Sequence, residues 1–128
     1  MKKNKIFFAF ALLFAVHLNT FALHPTRCPS IASIQKFGIT ELDEEANGLW
    51  TAYHPYDHYD GDYPVWGFEM HSIPGKTVQE AYHNAITRLT TLAFIGGPYI
   101  SKVGLTLCKY QTKQQNPSFL FTPIFEAS

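Results

Sequence analysis

The 128-residue chain sets ten Lys and Arg against ten Asp and Glu, with 46% hydrophobic and 16% aromatic residues. That length and apolar content suit one globular domain. The absence of a basic excess argues against nucleic acid as a partner, since nucleic-acid binders concentrate positive charge on one face.

Lys2, Lys3 and Lys5 precede the apolar run Ile6 to Val16, and Thr20 and Ala22 place small residues where a signal peptidase would cut. The run is 11 residues long, against the roughly 20 that span a bilayer. Residues 1–22 are therefore expected to be a cleaved signal peptide and 23–128 a single exported domain, periplasmic or secreted, with no membrane anchor. Removing the signal leaves seven basic residues and ten acids, a formal charge of −3. The asymmetry within the chain is larger. Residues 37–75 hold eight acids and no Lys or Arg, whereas 76–128 hold five basic residues and two acids.

Cys28 and Cys108 are the only cysteines. Neither has a CxxC or CxxH neighbour, so in an oxidising compartment they are predicted to form one long-range disulfide. After Pro29, the residues Ile31, Ile34 and Phe37 recur at helical spacing ahead of Gly38, which predicts a short, glycine-capped helix. The acidic stretch Glu41 to Glu45 reads as a solvated loop. Period-two alternation then predicts a strand from Gly48, carrying Trp50 and Ala52, and a second over Val65 to Ile73. Between them Asp60-Gly61 marks a turn.

Thr77 and Glu80 form a capping box at the head of a predicted helix over Val78 to Ile95. Its apolar stripe comprises Val78, Ala81, Tyr82, Ala85, Ile86, Leu89, Leu92 and Ala93, and Gly96-Gly97-Pro98 would end it. Two further strands are expected, Lys102 to Gln111 and Ser118 to Phe125, with Pro123 putting the last at a sheet edge. The predicted fold is thus α+β, a two-layer sandwich in which one long helix covers one face of a four-stranded antiparallel sheet, in the order α-β-β-α-β-β. Leu105, Leu107, Phe119 and Phe121 are expected to meet the helix, leaving Glu69, His71, Thr106 and Cys108 on the opposite face.

Seven aromatics fall between Trp50 and Phe68, interleaved with acids and histidines. Trp50, Tyr53, Tyr56, Tyr59 and Tyr63 are the candidate binding residues, because Tyr and Trp offer rigid contact area with a polar tip. His54, Asp57 and His58 have the chemistry of metal ligands, although Pro55 breaks any helical presentation. Glu69 and His71 lie two apart on a predicted strand and would share a face, as an acid–base pair requires. No nucleophile motif, phosphate loop or dinucleotide fingerprint is present, and no cofactor is expected. The balance favours a disulfide-stapled interaction protein that binds a protein or glycan through the aromatic–acidic hairpin or the helix-free sheet face. The alternative is a small secreted hydrolase or metal-binding protein using Glu69 and His71 or the His54–Asp62 loop.

The order of these features, with Cys28 soon after the cleavage site, Gly48-Leu49-Trp50 opening a hairpin, Pro74-Gly75-Lys76 before the helix and then Leu107-Cys108-Lys109, resembles the small exported proteins of unknown function found in Legionella-type intracellular bacteria. The resemblance implies export and an envelope or host-facing role. It carries no catalytic residues with it.

Overall fold

A computed structural model describes residues 27–61 and 65–123. The predicted signal peptide and Tyr63 lie outside the described residues. The chain runs through α1 (Ile31–Phe37), β1 (Glu41–Ala46), β2 (Leu49–Asp57), a 3-10 turn (Tyr59–Gly61), β3 (Trp66–Pro74), α2 (Val78–Leu89), β4 (Ala93–Ile100), β5 (Thr106–Gln111) and β6 (Pro117–Phe121). All strand pairs are antiparallel, in the order β1-β2-β3-β6-β5-β4. Among the described residues there are therefore six strands in one sheet and two helices, not the four strands and single covering helix expected from the sequence.

Two segments account for the difference. Glu41–Ala46 is an edge strand joined to β2 by Asn47-Gly48, where Gly48 supplies the positive φ of 74° that the tight turn needs. An edge strand has solvent on its outer side, so its acids cost nothing, and its composition looks like that of a loop. The second segment is the end of the long helix. Thr90 and Thr91 turn their hydroxyls back onto the carbonyls of Thr87 and Arg88 at 2.6 and 2.8 Å, closing α2 at Leu89. Ala93 and Phe94 then pair with Gln111 and Tyr110 as β4 runs along β5, and Gly96-Gly97-Pro98 forms an irregular part of that strand rather than a helix cap.

The remaining local signals behave as their chemistry dictates. Ser30 caps α1 by accepting from the Ser33 N–H at 3.1 Å, and Gly38 closes it with φ 72°. Thr77 caps α2 by accepting from the Glu80 N–H, and the Glu80 carboxylate accepts from the Lys76 N–H. Ala81, Ala85 and Leu89 are the buried stripe of α2, whereas Val78 and Tyr82 at its outer side stay exposed.

The core lies between the helices and one sheet face, with Ile34, Ala52, Phe68, Met70, Ile73, Ala85 and Leu120 almost wholly buried. In β5 and β6 the inward set is the reverse of the expected one. Thr106, Cys108 and Tyr110 point inward on β5, and Ser118 and Leu120 on β6. The disulfide explains this register. Cys28 and Cys108 are bonded with Cα atoms 5.8 Å apart, which draws the segment before α1 onto the core side of β5. Tyr110, two residues along, donates its hydroxyl to the Pro29 carbonyl at 2.7 Å. Leu107, Phe119 and Phe121 consequently face away from the helices. Thr106 and Cys108 do not share a face with Glu69 and His71. Strand β6 is central, between β3 and β5, and Pro123 lies beyond its end rather than marking an edge. No helix among the described residues is long and apolar enough to cross a membrane.

Candidate functional site

Among the described residues both helices lie on one side and leave the other sheet face open, and cross-strand register fixes what it carries. Directly paired residues share a face, so the pairs Glu41 with Tyr53, Tyr53 with Glu69, Glu69 with Phe119 and Phe119 with Lys109 define one row across five strands. The row alternates acid, aromatic, acid, aromatic and base. A second row runs Gly67, Phe121, Leu107 and Tyr99. Lys109 places its Nζ 5.3 Å from the centroid of the Tyr99 ring, a cation over an aromatic face.

At one end of this face, two strand irregularities meet over Thr51. Glu45 is the unpaired residue of a bulge in β1, and His71 and Ser72 are extra residues in β3 opposite Thr51, with Ser72 at φ 61°. These bulges turn the Glu45 carboxylate onto the imidazole of His71. Glu69 Oε1 lies 2.9 Å from His71 Nε2 and Glu45 Oε2 lies 3.3 Å from Nδ1. Thr51 Oγ1 is 3.3 Å from the same Nδ1 and donates to Glu45. The edge of Phe119 packs against the ring, with centroids 5.7 Å apart. Burial by itself would raise the Glu45 carboxyl. Donation from the Thr51 hydroxyl, the Ser72 N–H and His71 outweighs it and holds the group below the usual carboxylate range.

Asn116, in the turn between β5 and β6, fixes this arrangement from behind. It is 3% exposed. Its Nδ2 donates to the carbonyls of His71 and Ser72 at 3.1 and 2.9 Å, and its Oδ1 accepts from Thr112 Oγ1 and Arg88 Nη1. A single amide thus holds both carbonyls of the bulge. The only sequence signal was an Asn beside Pro117, which reads as an ordinary turn.

At the other end, Glu41, Asp43, Tyr53, Tyr56, Gly67 and Phe121 line a groove of about 240 Å³. Gly67 leaves room there for two rings. A Cβ at this position would meet the Tyr56 ring at 3.1 Å and the Phe121 ring at 3.3 Å. Those rings lie edge to face, 5.8 Å apart at 82°. Burial first, then the charges of Asp43 and Glu69 and a hydrogen bond to Asp43, push the Tyr53 hydroxyl upward. Burial and the Glu69 charge do the same to Tyr56. A second groove, about 390 Å³, lies beside the disulfide between Pro29 and Pro98.

The predicted site residues separate by face and depth. Tyr53 and Tyr56 stand on the open face. Trp50 is on the helix side, where its indole N–H donates to the Gly75 carbonyl at 2.8 Å. Tyr59 is wholly buried against Phe37 and His54 and belongs to the core. His54 and Asp57 are brought together, but as a hydrogen-bonded pair, Nε2 to Oδ2 3.2 Å. The His58 backbone N–H donates to Asp57, and this bond, with His54, lowers the Asp57 carboxyl. Among the described residues, no three His, Cys, Asp or Glu side chains are grouped so as to hold a metal ion. Glu69 and His71 do meet. Both imidazole nitrogens, however, are engaged by the protein's own oxygens, and the neighbouring Thr51 hydroxyl belongs to a residue only 3% exposed.

No family model matches the chain, and neither a curated protein nor a solved structure matches it.

Proposed function

We propose that this is an exported interaction protein that holds a protein or glycan partner on the open face of its sheet. The observation that supports it best is the row Glu41, Tyr53, Glu69, Phe119 and Lys109 on the face that neither described helix covers, flanked by Tyr56 and Phe121. Among the described residues the helices pack against one face of the sheet, and the other carries part-buried aromatic rings set between charges, the make-up of a contact surface. An intrachain disulfide fits an oxidising compartment, and the basic, apolar N-terminus supports export. The layout resembling small exported proteins of Legionella-type bacteria supports an envelope or host-facing address.

A hydrolytic role for Glu69 and His71 has less support, because the clamp of Glu45 and Glu69 leaves neither imidazole nitrogen turned to a substrate. The test is an array of peptides and oligosaccharides probed with labelled protein. The double variant Tyr53→Ala, Tyr56→Ala should lose about tenfold or more in affinity, as truncated aromatic anchors do. Tyr82→Ala, on the exposed side of α2, should bind like the parent. Binding retained by the double variant, or lost equally by Tyr82→Ala, would sink the assignment.

A further inference from the structure

Resting on that reading, we infer that the groove walled by Glu41 and Asp43 takes a cationic side chain, Lys or Arg, from a basic segment of a partner protein. Size is the first argument. At about 240 Å³ the groove falls below the roughly 300–1,000 Å³ of sites that enclose a whole small molecule, so it suits one side chain entering from an extended segment.

Charge is the second. None of the nine residues lining the groove is Lys or Arg, and two of them are acids. Beside the larger effect of burial, the charge of Asp43 raises the Tyr53 hydroxyl, and that of Glu69, one strand further on, raises both Tyr53 and Tyr56. A partly enclosed cleft lined by one sign of charge concentrates that field, attracting cations and repelling anions.

Shape is the third argument. The Tyr56 and Phe121 rings and the side-chain-free Gly67 form an apolar floor beneath the carboxylates. The methylene stem of Lys or Arg lies along such a floor while its charged head reaches the acids. The same sheet face already holds one such pairing, Lys109 over Tyr99. A sugar ring, by contrast, stacks best on a flat exposed platform, whereas Tyr56 and Phe121 meet edge to face at 82°.

The test is a titration of the full exported chain with three unstructured hexapeptides, hexa-arginine, hexaglutamate and a Gly-Ser control, followed by backbone amide shifts. Hexa-arginine alone should bind, shifting Glu41, Asp43, Tyr56 and Gly67, and its affinity should fall as salt rises from 50 to 300 mM. Glu41→Gln with Asp43→Asn should weaken it about tenfold or more. Glu44→Gln, compared with Glu41→Gln or Asp43→Asn taken singly, removes the same one charge from the opposite side of β1, where Glu44 pairs with Trp50, and should weaken it far less. Equal losses from the two sets of variants, or shifts centred elsewhere, would mean diffuse attraction and overturn the inference. The same shifts produced by Mg²⁺ or Ca²⁺ alone would also overturn it, in favour of a metal site. If a neutral oligosaccharide binds here, is lost in Tyr56→Ala and is untouched by Glu41→Gln with Asp43→Asn, the inference fails while the open-face reading stands. Should no ligand bind and Tyr56→Ala change nothing, both fail.

Discussion

Removing the disulfide tests the reasoning about stability most directly. Cys28 and Cys108 are 80 residues apart, so the bridge closes most of the described chain into one loop. In the chain-entropy account a loop of that length removes about 4.5 kcal/mol of conformational freedom from the unfolded state. A domain of this size has a total stability of about 5–15 kcal/mol, so between a third and nearly all of it rests on this one bond. The perturbation is Cys28→Ala with Cys108→Ala, compared with the parent in oxidised and reduced form. Urea unfolding, followed by the fluorescence of Trp50 and buried Trp66, is the assay. With a slope of about 1.5–2 kcal/mol/M, the midpoint should fall by roughly 2–3 M, and reduced parent and double variant should nearly coincide. Hydrogen exchange adds a local prediction. The segment before α1 is held by the disulfide, by Tyr110 on Pro29 and by Asp60 on Ser30, so α1 amides should lose protection first. A midpoint shift below about 0.5 M at unchanged slope would refute the loop argument and mean that the reduced unfolded chain is already compact.

Two other outcomes follow from single groups. Asn116→Ala strips partners from the carbonyls of His71 and Ser72 and from buried Thr112; it should cost about 2–4 kcal/mol by thermal or urea unfolding and shift the ring resonances of His71, whereas Lys113→Ala, exposed on the same turn, should do neither. Asp60 accepts from the N–H and hydroxyl of Ser30, and these bonds together with Ser33 outweigh the opposing effect of burial and lower its carboxyl, as the hydrogen bonds of Glu45 lower that one. A carboxyl lowered by folding contributes stability that is complete above its unfolded value near 4 and is lost as pH falls through the folded one. The melting temperature should therefore be flat from pH 7 to about 5 and drop below about 4. Asp60→Asn should cost about 1 kcal/mol at pH 7, less than a buried charged hydrogen bond because this carboxylate is exposed, and should shallow the acid slope; an unchanged slope would refute the linkage.

What was legible in the sequence was local. Ser30 and Gly38 delimit α1, Thr77 and Glu80 start α2, and the alternation of Trp66, Phe68 and Met70 names the buried side of β3, because caps and period-two patterns are decided within a few residues. The disulfide was legible too, since two cysteines allow one pairing. The end of α2 was not. Leu92 and Ala93 continue the helical spacing of the stripe, and only pairing with Tyr110 and Gln111 makes Ala93 and Phe94 a strand. Strand β1 was hidden by its acids, although Asn47-Gly48 was a hairpin signal in plain view. Of the aromatic hairpin, Tyr53 and Tyr56 reached the open face, but Tyr59 and Trp50 went to the core side, because alternation in β2 and the turn after it send neighbouring rings in opposite directions.

Composition and short-range pattern by themselves determined that this chain is α+β, acidic and aromatic in its front half and held by one long-range disulfide. Tertiary structure alone decided which face is which. Thr106, Cys108 and Tyr110 alternate with Leu105, Leu107 and Lys109, and on hydropathy the leucines look like the inward set. The bridge to Cys28 reverses that choice, since a strand that turns one residue inward must turn its neighbours out. By that reversal Leu107, Phe119 and Phe121 leave the core and join Glu69, Tyr53 and Tyr56 on the open face. Register, which no run of residues encodes by itself, assembles the surface on which the proposed function rests.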